Sequence, residues 1–389
     1  MEKKGKKEEP VRNKTVDVVA DSNYSIISPE YNKAFRAWRN NEKNEYAFRC
    51  RKREGEAVYV EGVGYHAQDP AAEERRAMIR INMIIGIGML FYLLIEHLLP
   101  AILMSLVHLM GVDVCYCYSD RTVYGNQMVV LVILMLKNLL KYLVPICIFR
   151  HSFRMPRQVA YHLKPVVPRD VPISTFVTLV VFAVANVWLL FSPINVLRTS
   201  TLGSAYYTVS YMDHSYQIIY LLFELFMVCV MQEVVIHGDM LHVLRQFGDW
   251  HAIILTAFMA VCMTPSYATA LMELTFAIVS GISVIRSGSL LVPILNRILY
   301  HLLLFLFFIV EIWPNQALYP YRLLMMLGIL LIGVLGCLLL IRPSKRNPAL
   351  MPQKHYISGK ERIRLLFHMG PLAIIFFLCA LLMVIEVIL

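Results

Sequence analysis

The sequence is poor in charge and in the usual signatures of covalent or metal cross-linking. Asp, Glu, Lys and Arg make up 16% of its 389 residues, against a hydrophobic share of 58%. Soluble domains carry charges near a quarter, so this balance argues against one. None of the eight cysteines forms a CxxC pair. Cys147, Cys229, Cys262, Cys337 and Cys379 lie in apolar runs, where cysteine behaves as a small hydrophobe. Cys115 and Cys117 are too close in sequence to bridge without strain, so no disulfide framework and no zinc ribbon is expected. No H-E-x-x-H motif occurs, and no cofactor or metal is expected. Residues 1–78 lack an apolar core behind a basic start, so no cleaved signal peptide is expected. No internal repeat is visible, which weighs against a small-solute transporter.

What is present is a series of long apolar runs. There are nine: Ile81–Leu109, Met128–Phe149, Val171–Phe191, Ile218–Ile236, His251–Thr264, Thr269–Ile285, Leu290–Ile312, Tyr321–Ile341 and Leu365–Leu389. The fold expected is therefore all-α, a polytopic membrane bundle of about eight to nine transmembrane helices. The fifth run is short and stops at Pro265; the first is long and holds Glu96, His97 and Pro100, a place to kink. Arg150, Arg154, Arg157, Lys164 and Arg169 follow run two, and Arg342, Lys345, Arg346, Lys354, Lys360, Arg362 and Arg364 follow run eight. Arg245 and Arg286 sit after runs four and six, whereas the other loops offer only Arg121, Arg198 and Arg322. Nine crossings put all the basic loops on one side with the N-terminus, the cytoplasmic side by the positive-inside rule. The net charge of +10 then reads as loop charge, with membrane lipid as its partner and not nucleic acid. A bacterial plasma membrane is the expected location.

Residues 1–78 form a cytoplasmic N-terminal region of mixed or partly disordered character, and residues 79–389 the transmembrane domain. Residues 1–27 are charged and polar, and disorder is expected there. Ser28-Pro29-Glu30 is a helix start. Tyr31, Phe35 and Trp38 follow at helical spacing among Arg36, Arg39 and Lys43. This helix either packs on the cytoplasmic loops or lies on anionic lipid. Ala57–Val63 reads as a short strand.

Function is sought where polar groups interrupt apolar runs, because an ionisable side chain in a membrane helix is costly unless paired or wetted. The run from Ile218 carries Glu224 and then Gln232-Glu233, and later runs bring Thr264, Asn296-Arg297 and His301. At 1.5 Å per residue, Thr264 lies roughly 20 Å beyond His251, and Arg297 and His301 lie about 12 and 18 Å beyond Ser289. Glu233 and His237 share one helix face, and Arg297 and His301 share another. A contact between Glu233 and a basic group, Arg297 first, is expected from the cost of leaving either charge alone.

Gln232-Glu233-Val234-Val235-Ile236-His237-Gly238 resembles the E-E-x-x-F-R-G motif of the CAAX protease and bacteriocin-processing family of intramembrane proteases. Leu244–Ile253 and Ile285–Leu295 resemble the connections around that family's later motifs, and the resemblance covers about residues 215–310. It implies an intramembrane endopeptidase whose paired glutamates and a histidine activate a water, while a later histidine and asparagine hold the oxyanion. It also implies a peptide or lipidated protein as substrate or partner, and a cleft open to the cytoplasm. Carried over position by position, the first glutamate falls on Gln232 and the second on Glu233. The arginine falls on His237, the water-activating histidine on Thr264 or its neighbour Cys262, the oxyanion histidine on Arg297 and the asparagine on His301. An amide has no basicity, and an arginine beside Glu233 binds the remaining carboxylate. The resemblance therefore implies a catalytically impaired homologue; an active peptidase with altered residues and a small-solute transporter are the alternatives. Glu233, His237 and His301 also form a conceivable zinc set, without a recognised spacing.

Overall fold

A computed structural model describes residues 28–41, 43–48, 70–117, 122–165, 168–190, 200–312, 318–340, 350, 356–368 and 370–388, with short strand pieces before residue 70. Disorder expected at residues 1–27 falls outside these, apart from Val16–Asp17 (β1), which pairs with Arg51–Lys52 (β2). The strand expected at Ala57–Val63 is Ala57–Val60 (β3), paired antiparallel with Gly64–Ala67 (β4).

Most of the remaining described residues are helical, and each apolar run lies at least in part on a helix. The helices are α1 (Pro29–Asn40), α2 (Pro70–Leu109), α3 (Gln127–Phe153), α4 (Asp170–Ala185), α5 (Thr201–Thr208), α6 (His214–Phe247), α7 (Asp249–Met263), α8 (Tyr267–Ser287), α9 (Leu291–Ile312), α10 (Leu318–Leu340), α11 (Gly359–His368) and α12 (Gly370–Ile388). Six helices (α2, α3, α6, α8, α9 and α10) are long and apolar enough to cross a membrane, which makes this an integral membrane protein by length and composition. Their outward faces carry exposed Leu and Ile, such as Leu324, Leu331 and Leu338 on α10, as lipid-facing helices do.

The remaining three runs differ from the simple expectation. The third ends as an α-helix at Ala185, not Phe191, because Asn186 turns back to cap it. Its backbone N–H and its Nδ2 both donate to the Phe182 carbonyl, at 3.0 and 2.8 Å, and Nδ2 also reaches Tyr300. The fifth ends at Met263, just before Pro265, which supplies no N–H to continue it. The ninth breaks between α11 and α12, bent by 77°. Pro371 opens the second helix and disfavours a helical residue before it. Pro100 lies inside α2 without ending it, and α2 runs unbroken across residue 78. Between α2 and α3, Val114–Cys117 (β5) pairs antiparallel with Thr122–Gly125 (β6).

α2 packs along α3 and α12; α7 and α8 form a hairpin; α4 lies between α8 and α10. The α7–α8 tip is held by Glu386 of α12, which accepts from Ser266 Oγ at 2.7 Å and from the Tyr267 N–H at 2.9 Å. The basic connections gather at the opposite end. There Leu290 N donates to the His162 carbonyl at 2.7 Å, Ser289 Oγ to the Leu163 carbonyl at 2.6 Å, and Arg362 to the Phe247 carbonyl at 3.2 Å. Helix α1 sits at that same end, against protein. Ser28 caps it through Tyr31 N at 3.3 Å, Trp38 Nε1 donates to the Phe153 carbonyl at 2.8 Å, and Tyr31, Phe35 and Trp38 are buried. Of the two sequence readings of α1, docking on the loops is the one observed.

The contact of α4 with α10 depends on small residues. A Cβ on Gly333 would lie 2.9 Å from the Val180 backbone nitrogen, and one on Gly336 would meet the Phe176 ring at 2.2 Å. Close backbone approach of this kind is how membrane helices gain packing where lipid offers no hydrophobic drive. Gly328 on the same helix has open space around it. We expect Gly333→Leu to cost about 1–3 kcal/mol and lower the midpoint of thermal unfolding in detergent, while Gly328→Leu leaves it unchanged. Equal midpoints for the two variants would show that this approach is not tight.

Candidate functional site

The site grows out of helix α6, which does not run as a plain α-helix. Two π-helical stretches, Glu224–Val228 and Val234–Met240, flank the α-helical turn Cys229–Glu233. Such widened turns shift the direction in which following side chains leave the helix and concentrate at functional sites. Here they leave Gln232, Glu233, His237, Asp239 and His242 all buried.

Glu233 lies at the centre, with both carboxylate oxygens engaged. Arg297 Nε on α9 donates to Oε1, and His237 Nδ1, one turn along α6, lies 2.5 Å from Oε2. The other ring nitrogen, Nε2, lies 3.3 Å from the Ala277 carbonyl of α8, so both ring nitrogens face acceptors. Arg297 continues through Nη1 to Glu273 Oε2 on α8 at 3.1 Å. Its guanidinium lies 4.7 Å from the centroid of Phe276, one turn from Glu273. Glu233, His237 and Arg297 have no solvent exposure. The result is a closed cluster of one guanidinium between two carboxylates, with an imidazole on the far side of one of them.

The structure thus brings Glu233, His237 and Arg297 together, and the expected Glu233–Arg297 contact is present. The other motif positions make no hydrogen bond to that cluster. Gln232 is buried, and its Nε2 has no hydrogen-bond partner. His301 is 2% exposed, and neither ring nitrogen is hydrogen-bonded; its ring meets Tyr300 edge-on at 6.1 Å. Thr264 lies just beyond the end of α7, with Oγ1 buried and unbonded. Asn296 turns away to α4, where Nδ2 donates to Ser174 Oγ at 2.8 Å and Oδ1 accepts from Thr175 Oγ1 at 3.0 Å. Among the described residues no three His, Cys, Asp or Glu side chains converge as a metal site, so Glu233, His237 and His301 are not gathered into one. The cleft expected to reach these groups from one side of the membrane is also not seen: Gln232, Glu233, His237, Arg297 and His301 are all at most 2% exposed.

Glu273 is the partner that sequence reasoning did not assign. A signal was available, because Glu273, Phe276, Ala277 and Ser280 recur at helical spacing on α8 and are all buried. Some other ionisable groups in the spans are paired too. Glu96 of α2 lies 2.8 Å from both Lys137 and Lys141 of α3, and Asn138 joins Tyr220 and Glu224 of α6.

The end of the site nearest the basic loops is closed by a second polar layer. Tyr31 of α1 lies 2.9 Å from His242 Nδ1 and accepts from Arg245 Nη1 at 3.0 Å; Arg245 Nε donates to Asp249 at 2.9 Å. Beside it the Tyr161 hydroxyl donates to Asp239 Oδ1 at 2.5 Å. Burial and the Asp239 carboxylate push that hydroxyl well above the usual tyrosine range, so it stays a donor. Gly238 lets this loop approach, since a Cβ there would lie 3.1 Å from the Tyr161 ring and 3.2 Å from the Ala160 carbonyl.

Removing one member of a buried charge pair typically costs about 3–5 kcal/mol, because the partner is left uncompensated. Arg297 balances two carboxylates, and Glu233 keeps His237 when Arg297 is lost while Glu273 loses its ion-pair partner. Arg297→Leu is therefore expected to lower the thermal unfolding midpoint in detergent more than Glu233→Gln does. Adding Glu233→Gln and Glu273→Gln to Arg297→Leu should restore much of the loss. If the triple variant is no better than the single one, charge balance is not what holds this centre.

Compared with protein-family models, with curated proteins and with solved structures, the chain has no significant match.

Proposed function

We propose that this chain is a non-catalytic relative of the CAAX protease and bacteriocin-processing intramembrane proteases, a multi-pass membrane protein that binds a peptide or lipidated protein without cleaving it. The observation that carries this reading is that Arg297, at the position matching the family's oxyanion histidine, is tied through Nε to Glu233 and through Nη1 to Glu273, with Nη2 alone left unbonded. Hydrolysis needs a base with a free oxygen for water and donors aimed at the attacked carbonyl. Glu233 has Oε1 on Arg297 and Oε2 on His237, inside a region with no solvent exposure. Gln232 supplies no second carboxylate, and Thr264 has no bond to the cluster. Losing a general base typically costs about 10²–10⁴ in rate, and losing one oxyanion donor about 10²–10³, so several such losses leave little turnover. The two π-helical stretches of α6 support a site that was built for more than packing.

The purified full chain, incubated with farnesylated and signal-type peptides, is expected to bind them and release no cleavage product. Product formation that Glu233→Gln abolishes would mean that other groups supply the missing chemistry, and would overturn this reading.

The proposed orientation places the basic end, with α1, in the cytoplasm of a bacterial cell and the α7–α8 tip outside, through nine crossings. Support comes from the gathering of the Arg- and Lys-rich connections at one end of the bundle. Arg286 and Asp213 are both exposed and lie on opposite sides in this arrangement. Single cysteines at these two positions, in an otherwise cysteine-free chain in intact cells, should label oppositely with an impermeant maleimide: Asp213→Cys from outside, Arg286→Cys only after lysis. Labelling of both from one side would remove a crossing between them.

A further inference from the structure

Where α11 meets the beginning of α2, the fold leaves a crevice that the intramembrane cluster does not use. Arg75, Lys360, Glu361, Arg364 and Leu365 line an open cavity of about 470 Å³. Its walls are fixed. Arg75 Nε donates to Glu361 at 2.9 Å, Arg362 Nη2 to Glu74 at 3.2 Å, and Glu74 accepts from the Tyr356 backbone at 2.8 Å. Three cations face one carboxylate across the opening, and Arg75 already holds that carboxylate. Lys360 and Arg364 are exposed, and among the described contacts neither has an ion-pair partner. Exposed Arg76 and Arg80 continue the basic edge along α2.

The outer face of α11 combines two chemistries. At 100° per residue, Lys360, Ile363, Arg364 and Phe367 fall within an arc of about 100°. Ile363 is 59% and Phe367 62% exposed, while Arg362 and Leu365 on the opposite face are buried. A helix whose solvent face mixes cations with large apolar side chains is poorly placed in water and well placed at a membrane surface. α11 meets the apolar helix α12 at a bend of 77°, so with α12 crossing the bilayer α11 lies near the membrane plane, where α12 begins.

We propose that this crevice is a binding site for the phosphate headgroup of an anionic lipid. Lys360, Arg364 and Arg75 meet the phosphate, and the acyl chains run down past Ile363 and Phe367. Free phosphate would use the cations alone and leave the two apolar side chains without a role. The site is independent of what the Glu233 cluster does.

The test uses the full chain in a neutral detergent. Phosphatidylglycerol and phosphatidylcholine of equal chain length are titrated, and bound lipid is counted by native mass spectrometry. Phosphatidylglycerol should be retained in preference. Lys360→Gln with Arg364→Gln should weaken its retention on the order of ten-fold or more, since each surface cation near anionic lipid is worth about a five-fold effect. Phe367→Ser should weaken it as well, whereas Arg286→Gln, at another exposed cation of the same end, should not. The charge-preserving pair Lys360→Arg with Arg364→Lys should retain the lipid as the wild type does, which separates charge from misfolding. Three outcomes would overturn the proposal: equal retention of both lipids, undiminished retention by the double glutamine variant, or displacement of the lipid by millimolar inorganic phosphate, which would mark a free-anion site.

Discussion

A guanidinium held between two carboxylates in the middle of an apolar bundle is the constraint from which the rest of this structure follows. Arg297 of α9 reaches Glu233 of α6 and Glu273 of α8. In hydrocarbon none of these groups has water to fall back on, and each is costly alone. The three helices are therefore held in one register, because sliding any of them by a turn would strand a charge. Phe276 packs against the guanidinium face and His237 takes the remaining oxygen of Glu233, so the arrangement is completed by protein groups on every side that is bonded. Further layers extend it outward. Asn296, next to Arg297, ties α9 to α4 through Ser174 and Thr175, and Ser174 bonds Ser283 of α8 at 2.6 Å.

The same arrangement has a chemical consequence. A carboxylate engaged on both oxygens and shut off from solvent stabilises a fold, and no bulk water reaches its remaining lone pairs. Held in this way, Glu233 ties α6 to α9. The imidazole of His237 is fixed in the same way, between Glu233 and the Ala277 carbonyl. Buried polar atoms left without hydrogen bonds include Gln232 Nε2, Thr264 Oγ1, Ser280 Oγ, both ring nitrogens of His301 and, within the cluster, Arg297 Nη2. Above it the Tyr31–His242–Arg245–Asp249 layer seats α1 across the basic end of the bundle. Helix α1 is thereby part of the membrane domain's packing.

Helix length is decided locally in this protein, and the ends are made by identifiable groups. Asn186 caps α4 short, Pro265 stops α7, and Pro371 starts α12 afresh after α11. Short helices are tolerable because their ends are met by side chains from neighbours: Glu386 takes the free N–H at the start of α8, and Tyr92 donates to the last carbonyl of α7 at 3.0 Å. A backbone end left unpaired at membrane depth would otherwise cost several kcal/mol. The bend before α12 also turns α11 by 77° away from it, and α11 carries a face of cations and exposed apolar residues.

The apolar runs, the N-cap at Ser28, the stop before Pro265 and the pairing of Glu233 with Arg297 were all determined by the sequence itself. Burying a long apolar run or an unpaired charge has few solutions, and composition alone reveals both. The helix expected at Tyr31, Phe35 and Trp38 was legible for the same reason, but whether it met lipid or protein was not. That depended on Phe153, His242 and Arg245, which lie far away in the chain. The sequence also placed Thr264 and His301 at depths compatible with Glu233. Depth is set by rise per residue, whereas direction around each helix is set by packing, and the π-helical stretches of α6 alter that direction where simple spacing assumes regularity. For that reason Glu273 entered the cluster unannounced, while His301 stayed outside it. The hairpin at Val114–Cys117 and the break between α11 and α12 were likewise products of tertiary contact and local proline geometry. Only the folded chain decided that the carboxylate would be surrounded by protein, because enclosure depends on how three helices close around it and on no single one of their sequences.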